Sequence, residues 1–515
     1  MSNQTYIGSI NKVDGDKIVF FLDGNAKLSF GQIVKIESCG RGFYARVVNA
    51  GSSSTLDTHE QLREAHGKES FGPYSSYKHV TAVLFLERTG ERLRAPTFNP
   101  NYMDKVYATE DEDCKILRLA GDLEIGLLRS GEQVLGKVGI GIEAIPLMIG
   151  MFGMTGSGKT NCELVVNAQL IDCSPKTVGL IFDFAGQLLE GKGIRPQRGL
   201  QNHPLFHIRA KYYSARDKKM TVGLHTLQPK KLGLLFPEIG GPQFKVAQKL
   251  YHTFGDQWIE QAKEAYTNEG SQGIGKAINY KQRNVIEALM LKLLSLSPEL
   301  FPSSSYSFID DVVRNITQGI TCLIDISGMS NEEQQSITNL TAANVAAHYK
   351  TMWEQNFEEW QKLPTLLITL EEAHEFLDPS KPKTIFSSIA LTYRKYRVGL
   401  NAVTPRPSRI TFDVFAELWT KVIMKTELSR DRLYVTENTP YLEYSDTELK
   451  MLDLGEALLI SEPKIRFAVP VKITHYPDYL EEHKPTDHGL PESQQLSDIE
   501  QRIKQISRQG SMGLQ

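Results

Sequence analysis

A glycine-rich run of eight residues constrains the fold of this chain more than any other feature. Residues 153–160 read Gly-Met-Thr-Gly-Ser-Gly-Lys-Thr, which is the spacing of a Walker A phosphate-binding loop. An apolar run of strand length precedes it at 147–152, and apolar residues at helical spacing follow it over 161–171. A loop between a buried strand and a helix N-terminus is the arrangement that binds phosphate. The sequence therefore predicts an α/β fold with a nucleotide-binding core.

The residue types in this loop indicate how a nucleotide would be held. We expect Lys159 to reach the β and γ phosphates of ATP, and the Thr160 hydroxyl to ligate Mg²⁺. Backbone N–H groups of the loop would point at the phosphate oxygens. A flexible glycine turn that matches the motif by chance is the alternative. The predicted nucleotide-binding residues are Gly153, Thr155, Gly156, Ser157, Gly158, Lys159, Thr160 and Asn161.

Length and composition exclude several classes of protein. The chain has 515 residues, of which 41% are apolar and 23% charged, as in ordinary globular proteins of two or three domains. No apolar stretch approaches the ~20 residues that span a bilayer, and the N-terminus lacks the pattern of a secretory signal. The five cysteines are scattered without metal-ligand spacing. We expect a cytoplasmic protein with no membrane partner.

The formal net charge of −3 limits how nucleic acid could be bound. A globally basic surface is absent from such a chain, so any contact with DNA would have to be local. Basic clusters at 192–198, 209–219, 230–231 and 394–397 are candidates. For each cluster taken alone, a solvated surface is the alternative.

Changes in residue pattern divide the chain into three parts. Short β-rich segments between turn signals predict a small N-terminal β-barrel over residues 1–135. Apolar runs that alternate with helical patterns predict a RecA-like ATPase core with a parallel-rich sheet over 136–475, including a helical insertion at about 241–297. Residues 476–515 are a C-terminal tail, for which the alternatives are that it braces a neighbouring subunit, that it docks a partner and that it is disordered. The predicted core strands are 147–152, 178–182, 320–326, 366–370, 400–403, 422–424 and 457–460, and a long helix is predicted over 331–362.

One of these apolar runs ends in two carboxylates. Residues 366–370 read Leu-Leu-Ile-Thr-Leu and are followed by Glu371 and Glu372. In a Walker B strand, the first carboxylate helps to hold Mg²⁺ and the next polarises the water that attacks the γ-phosphate. The first is normally Asp, and Glu371 is one methylene longer. An ordinary helix N-terminus that favours negative charge is the alternative interpretation.

Together with a third stretch, these motifs resemble the HerA-like branch of the HerA/FtsK family of hexameric DNA-translocating ATPases. The third stretch, residues 394–408, reads Arg-Lys-Tyr-Arg-Val-Gly-Leu-Asn-Ala-Val-Thr-Pro-Arg-Pro-Ser. The resemblance implies a homo-hexamer around DNA, with ATP and Mg²⁺ at each subunit boundary and an arginine supplied by the neighbour. Arg394 is the first candidate for that arginine and Arg397 the alternative, and helical spacing predicts that both lie on one face. A solvated basic patch or a DNA contact is the other interpretation of the pair.

Three departures indicate a diverged member of this family. Residues 183–188 read Asp-Phe-Ala-Gly-Gln-Leu where an Asp-Pro-x-Gly-Glu-Tyr type of turn is common, and Glu371 replaces Asp. Pro405 stands where a polar sensor is usual and has no N–H to offer. Thr404 is then the nearest group able to contact a γ-phosphate. We expect these changes to affect the rate of ATP hydrolysis.

The resemblance implies an ATP-driven DNA translocase or helicase. Such motors work with a nuclease or other effector, here expected on the N-terminal barrel, in DNA end processing or antiviral defence against phage. In this role Glu371 would support the metal, Glu372 would activate water and Arg394 would complete the neighbour's site. The alternative is a ring-shaped scaffold that binds nucleotide with little turnover and activates an effector. A conjugation or secretion ATPase of the same superfamily is a third hypothesis.

Overall fold

Alternation of apolar and polar residues produces a barrel at the N-terminal end. The computed structural model describes residues 5–23, 26–54, 76–216 and 220–483. The first strands are β1 (Tyr6–Asp14), β2 (Lys17–Leu22), β3 (Ile33–Ser38), β4 (Arg41–Ser54), β5 (Ser76–Thr89), β6 (Arg92–Arg94) and β7 (Lys105–Ala108). Six of them pair in the order β2-β1-β7-β3-β4-β5, and pairing of β2 with β5 closes the barrel. Buried side chains such as Ile10, Phe20 and Ile36 fill its interior, so the predicted small barrel is confirmed.

All seven apolar runs that were predicted as core strands lie in one sheet of 11 strands. Its strands are β8 (Leu123–Ser130), β9 (Gln133–Ile140), β10 (Ile149–Phe152), β11 (Thr177–Asp183), β12 (Ala210–Ser214), β13 (Thr321–Asp325), β14 (Thr365–Leu370), β15 (Val398–Thr404), β16 (Thr420–Met424), β17 (Glu456–Ser461) and β18 (Ile465–Ile473). The order is β12-β13-β11-β14-β15-β10-β16-β17-β18-β8-β9. Strands β12 through β16 in this order run parallel, which confirms the predicted parallel-rich α/β core. Strands such as β11 and β15 are buried along their whole length because helices cover both faces.

The hairpin β8–β9 belongs to this core sheet and not to the barrel. Strand β8 pairs with β18, with Leu128 opposite Val471. The predicted boundary at residue 135 therefore falls inside a core hairpin, and the core sheet begins at Leu123. Short antiparallel strands have the same alternating pattern in either sheet, so the sequence pattern alone does not assign this hairpin.

Helices pack on both faces of the sheet. They are α1 (Asp111–Ile116), α2 (Lys159–Asp172), α3 (Phe206–Arg209), α4 (Leu232–Leu235), α5 (Gly241–Phe254), α6 (Trp258–Ala277), α7 (Arg283–Leu294), α8 (Phe308–Thr317), α9 (Asn331–Gln355), α10 (Phe357–Lys362), α11 (His374–Leu377), α12 (Ile385–Thr392), α13 (Phe412–Glu417), α14 (Ser429–Glu437), α15 (Asp446–Met451) and α16 (Tyr476–Glu482). Helices α5 to α7 form the predicted helical insertion. Trp258 anchors it, since the ring is fully buried and its Nε1 donates to the Leu227 carbonyl at 2.8 Å.

The single helix predicted over 331–362 is wrong in one respect, because the structure has two helices there. Asn356 lies between α9 and α10, and its side chain accepts the Glu359 N–H at 3.3 Å. Asparagine competes for backbone hydrogen bonds in this way, so it begins a new helix and does not continue the old one.

The start of the C-terminal tail packs on the core. In α16 the Tyr476 hydroxyl donates to the Gly199 carbonyl at 3.3 Å, and the ring is fully buried. The apolar pattern at Ile499, Ile503 and Ile506 lies outside the described residues. Among the helices of the described ranges, none combines the length and the apolar character of a membrane span.

Candidate nucleotide site

The carboxyl ends of the parallel strands bring the predicted motifs to one edge of the sheet. The glycine-rich loop follows β10, Asp183 ends β11, the paired glutamates follow β14 and Thr404 ends β15. Strands β10 and β15 pair with Phe152 opposite Thr404. The phosphate loop, which follows Phe152, therefore begins beside the predicted sensor Thr404. Ligands of open α/β sheets bind at this edge.

Glycines are required in the loop for conformational and steric reasons. Gly156 and Gly158 have φ angles of 83° and 109°, which side chains rarely adopt. A Cβ atom on Gly153 would lie 2.6 Å from Ser157 Oγ and 2.8 Å from Met424 Cβ. The backbone between β10 and α2 can therefore take the tight turn that phosphate binding needs.

Lys159 is held inside this loop. Its Nζ atom donates to the carbonyl oxygens of Gly153 at 2.7 Å and Met154 at 2.9 Å. Burial lowers the pKa of the lysine, and the carboxyl groups of Glu163, Glu372 and Glu371 oppose that shift. The lysine is thus close enough to the paired glutamates for their charges to affect its pKa, as the two motifs predict.

Glu371 is bound to the turn after β11. Its Oε2 atom accepts the Phe184 N–H at 3.0 Å, and the carboxyl group is half-buried. Burial and the neighbouring Asp183 raise the pKa of Glu371 to about 8. The departure at Glu371 and the departure in the turn at 183–188 are therefore in direct contact.

Glu372 has a strained backbone and an exposed side chain. Its φ angle of 49° is in the left-handed region, which is uncommon for a residue with a side chain and recurs at functional sites. Its Oε2 atom lies 3.3 Å from Nδ1 of His374. The Thr404 hydroxyl lies 3.0 Å from the same nitrogen and accepts the Arg406 N–H at 3.0 Å.

The other residues of the loop fall into two groups. Some are open to solvent, where a nucleotide would bind, and one is hydrogen-bonded to the rest of the protein. Thr155 and Gly156 are exposed, and Thr160 is half-buried at the start of α2. Asn161 is used by the protein, since its Nδ2 donates to the Thr474 carbonyl and its Oδ1 accepts the Tyr476 N–H, both at 2.8 Å. This amide fixes the loop helix against the C-terminal segment.

Sequence reasoning missed the buried acid Glu163 near the lysine, and it did not identify the hydrogen-bond partners of Asp183 and Asp325. Glu163 lies one helical turn after Lys159, and its Oε1 atom has no hydrogen-bond partner among the described residues. Burial and Glu371 raise the pKa of Glu163 well above its usual range. Asp183 accepts the Leu188 N–H at 2.8 Å, and Asp325 accepts the Tyr212 hydroxyl at 2.7 Å. The four-residue spacing from Lys159 is the one sequence signal that could have identified Glu163.

The two candidate arginines lie at the opposite edge of the sheet. Arg394 is the first residue of the turn Arg394–Tyr396, and Arg397 follows that turn immediately before β15 begins. Seven residues of β15 separate them from the phosphate-loop edge, roughly 20 Å at about 3.3 Å per residue. Neither arginine therefore reaches the site of its own chain.

The expectation that both arginines share one helical face is wrong. Arg397 has a φ angle of 62° and ends the turn, so the helical spacing is broken. The exposed guanidinium of Arg394 stacks on the Trp419 ring at 4.8 Å. Arg397 stacks on Trp360 at 4.4 Å and donates to the Gln361 carbonyl at 3.1 Å. Arg394 is exposed and Arg397 is half-buried, so Arg394 is the more accessible of the two to a neighbouring subunit.

Comparison with known proteins agrees with this geometry. A family model described as "Helicase HerA, central domain" matches residues 123–345. Over this region the chain is therefore similar to the HerA helicases. It is 22% identical over 401 residues to the DNA double-strand break repair helicase HerA of Saccharolobus solfataricus, covering 74% of this chain and 76% of that protein. It is 24% identical over 439 residues to the protein of the same description from Sulfurisphaera tokodaii, covering 80% and 82%.

A similar solved structure is that of the bacterial conjugative coupling protein TrwB. It has a TM-score of 0.47 and 11% identity, and it covers 71% of this chain and 92% of that chain. Similarity to the HerA helicases confirms the predicted class of enzyme, an ATP hydrolase.

The donor set of this HerA-like site suits a magnesium nucleotide. Among the described residues, no three His, Cys, Asp or Glu side chains are grouped to hold a metal ion without help. A hydroxyl and a carboxylate that act together with phosphate oxygens and water are the usual ligands of Mg²⁺. Thr160 and Glu371 supply such a pair, and the catalytic and binding roles of the individual residues stay predictions.

Proposed function

We propose that this HerA-like chain is an ATP-driven DNA translocase or helicase that works as a homo-hexamer in the cytoplasm. The observation that carries the proposal is the placement of Lys159, Glu371 and Glu372 at one edge of the sheet, with the exposed Arg394 at the other. Such a protomer has most of an ATP site at one edge and a group that completes a site at the other. The DNA repair helicases among its relatives support DNA as the partner.

Each site residue then has a chemical role. The loop N–H groups and Lys159 bind the phosphates of ATP, and Thr160 with Glu371 would hold Mg²⁺, which neutralises charge on the phosphates when bound. Glu372 orients and polarises the attacking water. Thr404 contacts the γ-phosphate. Arg394 of the neighbouring protomer stabilises negative charge in the transition state only when the interface closes, which couples hydrolysis to subunit motion.

The N-terminal barrel is the proposed docking site for a nuclease or other effector, in DNA end processing or antiviral defence. Phe98, Tyr102 and Met103 are exposed on one loop of the barrel. Buried Glu87 anchors this loop, because its Oε2 accepts both the N–H and the hydroxyl of Thr97 at 2.9 Å. An ordered loop that exposes apolar side chains is typical of protein interfaces.

A ring-shaped scaffold with little ATP turnover is the second candidate function. One observation favours it: Glu371 is bound to the Phe184 N–H and its pKa is raised to about 8. A carboxyl group that binds a proton at neutral pH is a poorer ligand for Mg²⁺.

DNA-stimulated ATP hydrolysis by the full chain separates the two functions. We expect DNA to increase turnover, and Glu372→Ala to abolish the increase while ATP still binds. Glu358→Ala is the matched control, since Glu358 is exposed on α10 away from the site. Tight ATP binding without turnover in the unsubstituted protein would contradict the motor and favour the scaffold.

A further inference from the structure

The side chain of His374 contacts two of the proposed site residues at once. It is the first residue of α11, two residues after Glu372, and it is buried. Its Nδ1 atom lies 3.0 Å from Thr404 Oγ1 and 3.3 Å from Glu372 Oε2. Since Thr404 ends β15 and Glu372 follows β14, the imidazole bridges the ends of two neighbouring strands.

One ring nitrogen cannot bond fully to both partners. A carboxylate oxygen only accepts hydrogen bonds, so the contact with Glu372 requires a hydrogen on Nδ1. The Thr404 hydroxyl can either donate its own hydrogen to a bare Nδ1 or accept the hydrogen that Nδ1 carries. The Thr404 hydroxyl also accepts the Arg406 N–H, and its own hydrogen is available to a further acceptor. The direction of the Thr404 hydroxyl therefore affects how strongly Nδ1 binds Glu372.

Glu372 depends on this contact for its orientation. Within the described ranges, the imidazole is the one side chain that makes a hydrogen bond or ion pair with the Glu372 carboxylate. His374 is itself held from the other side, where Nε2 lies 3.3 Å from Glu375 Oε1. Glu375 is in turn bound by Lys381 and lies 3.7 Å from the Arg409 guanidinium. The imidazole is thus fixed, whereas the carboxylate that it contacts is exposed.

We propose that His374 is a positioning residue that couples the proposed γ-phosphate contact, Thr404, to the proposed water-activating residue, Glu372. When the Thr404 hydroxyl donates to a γ-phosphate oxygen, Nδ1–H bonds to Glu372 and fixes its carboxylate toward the attacking water. Without a γ-phosphate, the Thr404 hydroxyl donates to Nδ1 instead and the ring hydrogen lies on Nε2, which faces Glu375. Nδ1 then has no hydrogen for Glu372, and the carboxylate is less well oriented. This inference rests on the proposed ATPase function and assigns that site a device that senses the γ-phosphate.

Two amide substitutions at residue 374 separate a hydrogen-bonding role from a packing role. In His374→Asn the side-chain nitrogen occupies nearly the position of Nδ1, whereas in His374→Gln it occupies nearly that of Nε2. Glutamine is closer to histidine in size, so a packing role favours Gln. The coupling favours Asn, because only Asn keeps a donor near both Glu372 and Thr404.

The measurement is steady-state ATP hydrolysis by the full chain with DNA, together with the affinity for ATP. We expect His374→Asn to keep kcat within about threefold of the unsubstituted protein, and His374→Gln to lower kcat about tenfold with ATP affinity unchanged. Thr404→Val should lower kcat similarly. The double variant His374→Gln, Thr404→Val should be little slower than either single variant, because the two residues act as one unit.

Two results would overturn the coupling while ATP hydrolysis itself stands. One is a kcat for His374→Gln equal to or above that of His374→Asn. The other is a double variant whose loss in kcat is the product of the two single losses. Absence of turnover in the unsubstituted protein would instead contradict the proposed function, and the coupling with it.

Discussion

The extra methylene of Glu371 lets its carboxyl group reach a backbone N–H in the turn after the neighbouring strand. The carboxylate extends from the end of β14 to the Phe184 N–H, in the turn after β11, at 3.0 Å. An aspartate at the same position is shorter and would not reach that N–H without movement of the backbone. Two departures that the sequence presents as separate therefore form one contact, which sequence spacing could not reveal because the residues are 187 positions apart.

Lys421 is a second residue whose environment sets its chemistry. It is 6% exposed in β16, and its Nζ donates to the Leu418 carbonyl at 2.5 Å. Burial lowers the pKa of Lys421 to about 8. At neutral pH the folded protein must therefore keep a poorly solvated ammonium group inside the core.

We predict that Lys421→Met stabilises the protein at pH 7 by about 1–3 kcal/mol, the upper limit being set by the pKa shift and the lower by loss of the Leu418 hydrogen bond. Between about pH 8 and pH 10.5 the unfolded chain binds a proton that the folded chain does not, so the unsubstituted protein gains stability as pH rises. The advantage of the variant should disappear across that window.

Denaturant unfolding at pH 7 and pH 10 measures this difference. Lys105→Met is the control, because Lys105 is exposed on the barrel and its loss should change stability little at either pH. An advantage for Lys421→Met that is the same at both pH values would show that the ammonium carries no such cost.

Among elements, a buried ion pair joins the barrel to the core. Arg46 on β4 donates to Glu448 Oε2 on α15 at 2.8 Å and also contacts Ser445. Arg129 on β8 lies 3.2 Å from the other oxygen of Glu448. Phe85 of the barrel stacks on Phe467 of the core with ring centroids 4.1 Å apart. These contacts hold the barrel in a defined position against the sheet.

Glu448→Gln should weaken this junction. The substitution leaves two arginines near a neutral amide, and breaking a buried pair typically costs about 3–5 kcal/mol. We expect faster amide hydrogen exchange in β4 and α15, with exchange in α2 unchanged. Lys12→Ala, which removes an exposed ion pair with Asp14, is the control and should leave exchange in β4 as it was. Unchanged protection of β4 in Glu448→Gln would contradict a role for the pair in joining the two parts.

Whether a strand could be predicted from the sequence depends on its burial and on the residues that it contains. Strands β10, β11 and β13 to β17 are apolar runs because they are almost wholly buried, and all seven were predicted. Strand β12 was missed because it lies in the basic cluster that begins at Arg209. Strand β18 was missed because it contains Pro470, which argues against a strand. The phosphate loop and paired acids were predicted from local motifs. The contact of His374 with Thr404 joins elements that are distant in the sequence, so residue spacing does not specify it.

At the scale of the whole molecule, the two edges of the sheet carry complementary parts of one proposed site. Lys159 and the paired glutamates lie at the carboxyl edge, and Arg394 lies roughly 20 Å away at the opposite edge. Its guanidinium is exposed and its orientation is supported by Trp419 at 4.8 Å. Head-to-tail contact between protomers would bring these edges together, and such contacts form a ring when the rotation between neighbours closes.

Complementation between two inactive variants tests this central claim most directly. Lys159→Ala removes phosphate binding, and Arg394→Ala removes the group offered to the neighbour, so each variant alone should lack DNA-stimulated ATP hydrolysis. When the two chains are mixed and allowed to exchange, an Arg394→Ala protomer beside a Lys159→Ala protomer has an intact phosphate loop facing an intact arginine. We predict that hydrolysis returns in the mixture. If the mixed assemblies form but stay inactive, or if Arg394→Ala alone keeps full activity, the nucleotide site is not completed by this arginine from a neighbour.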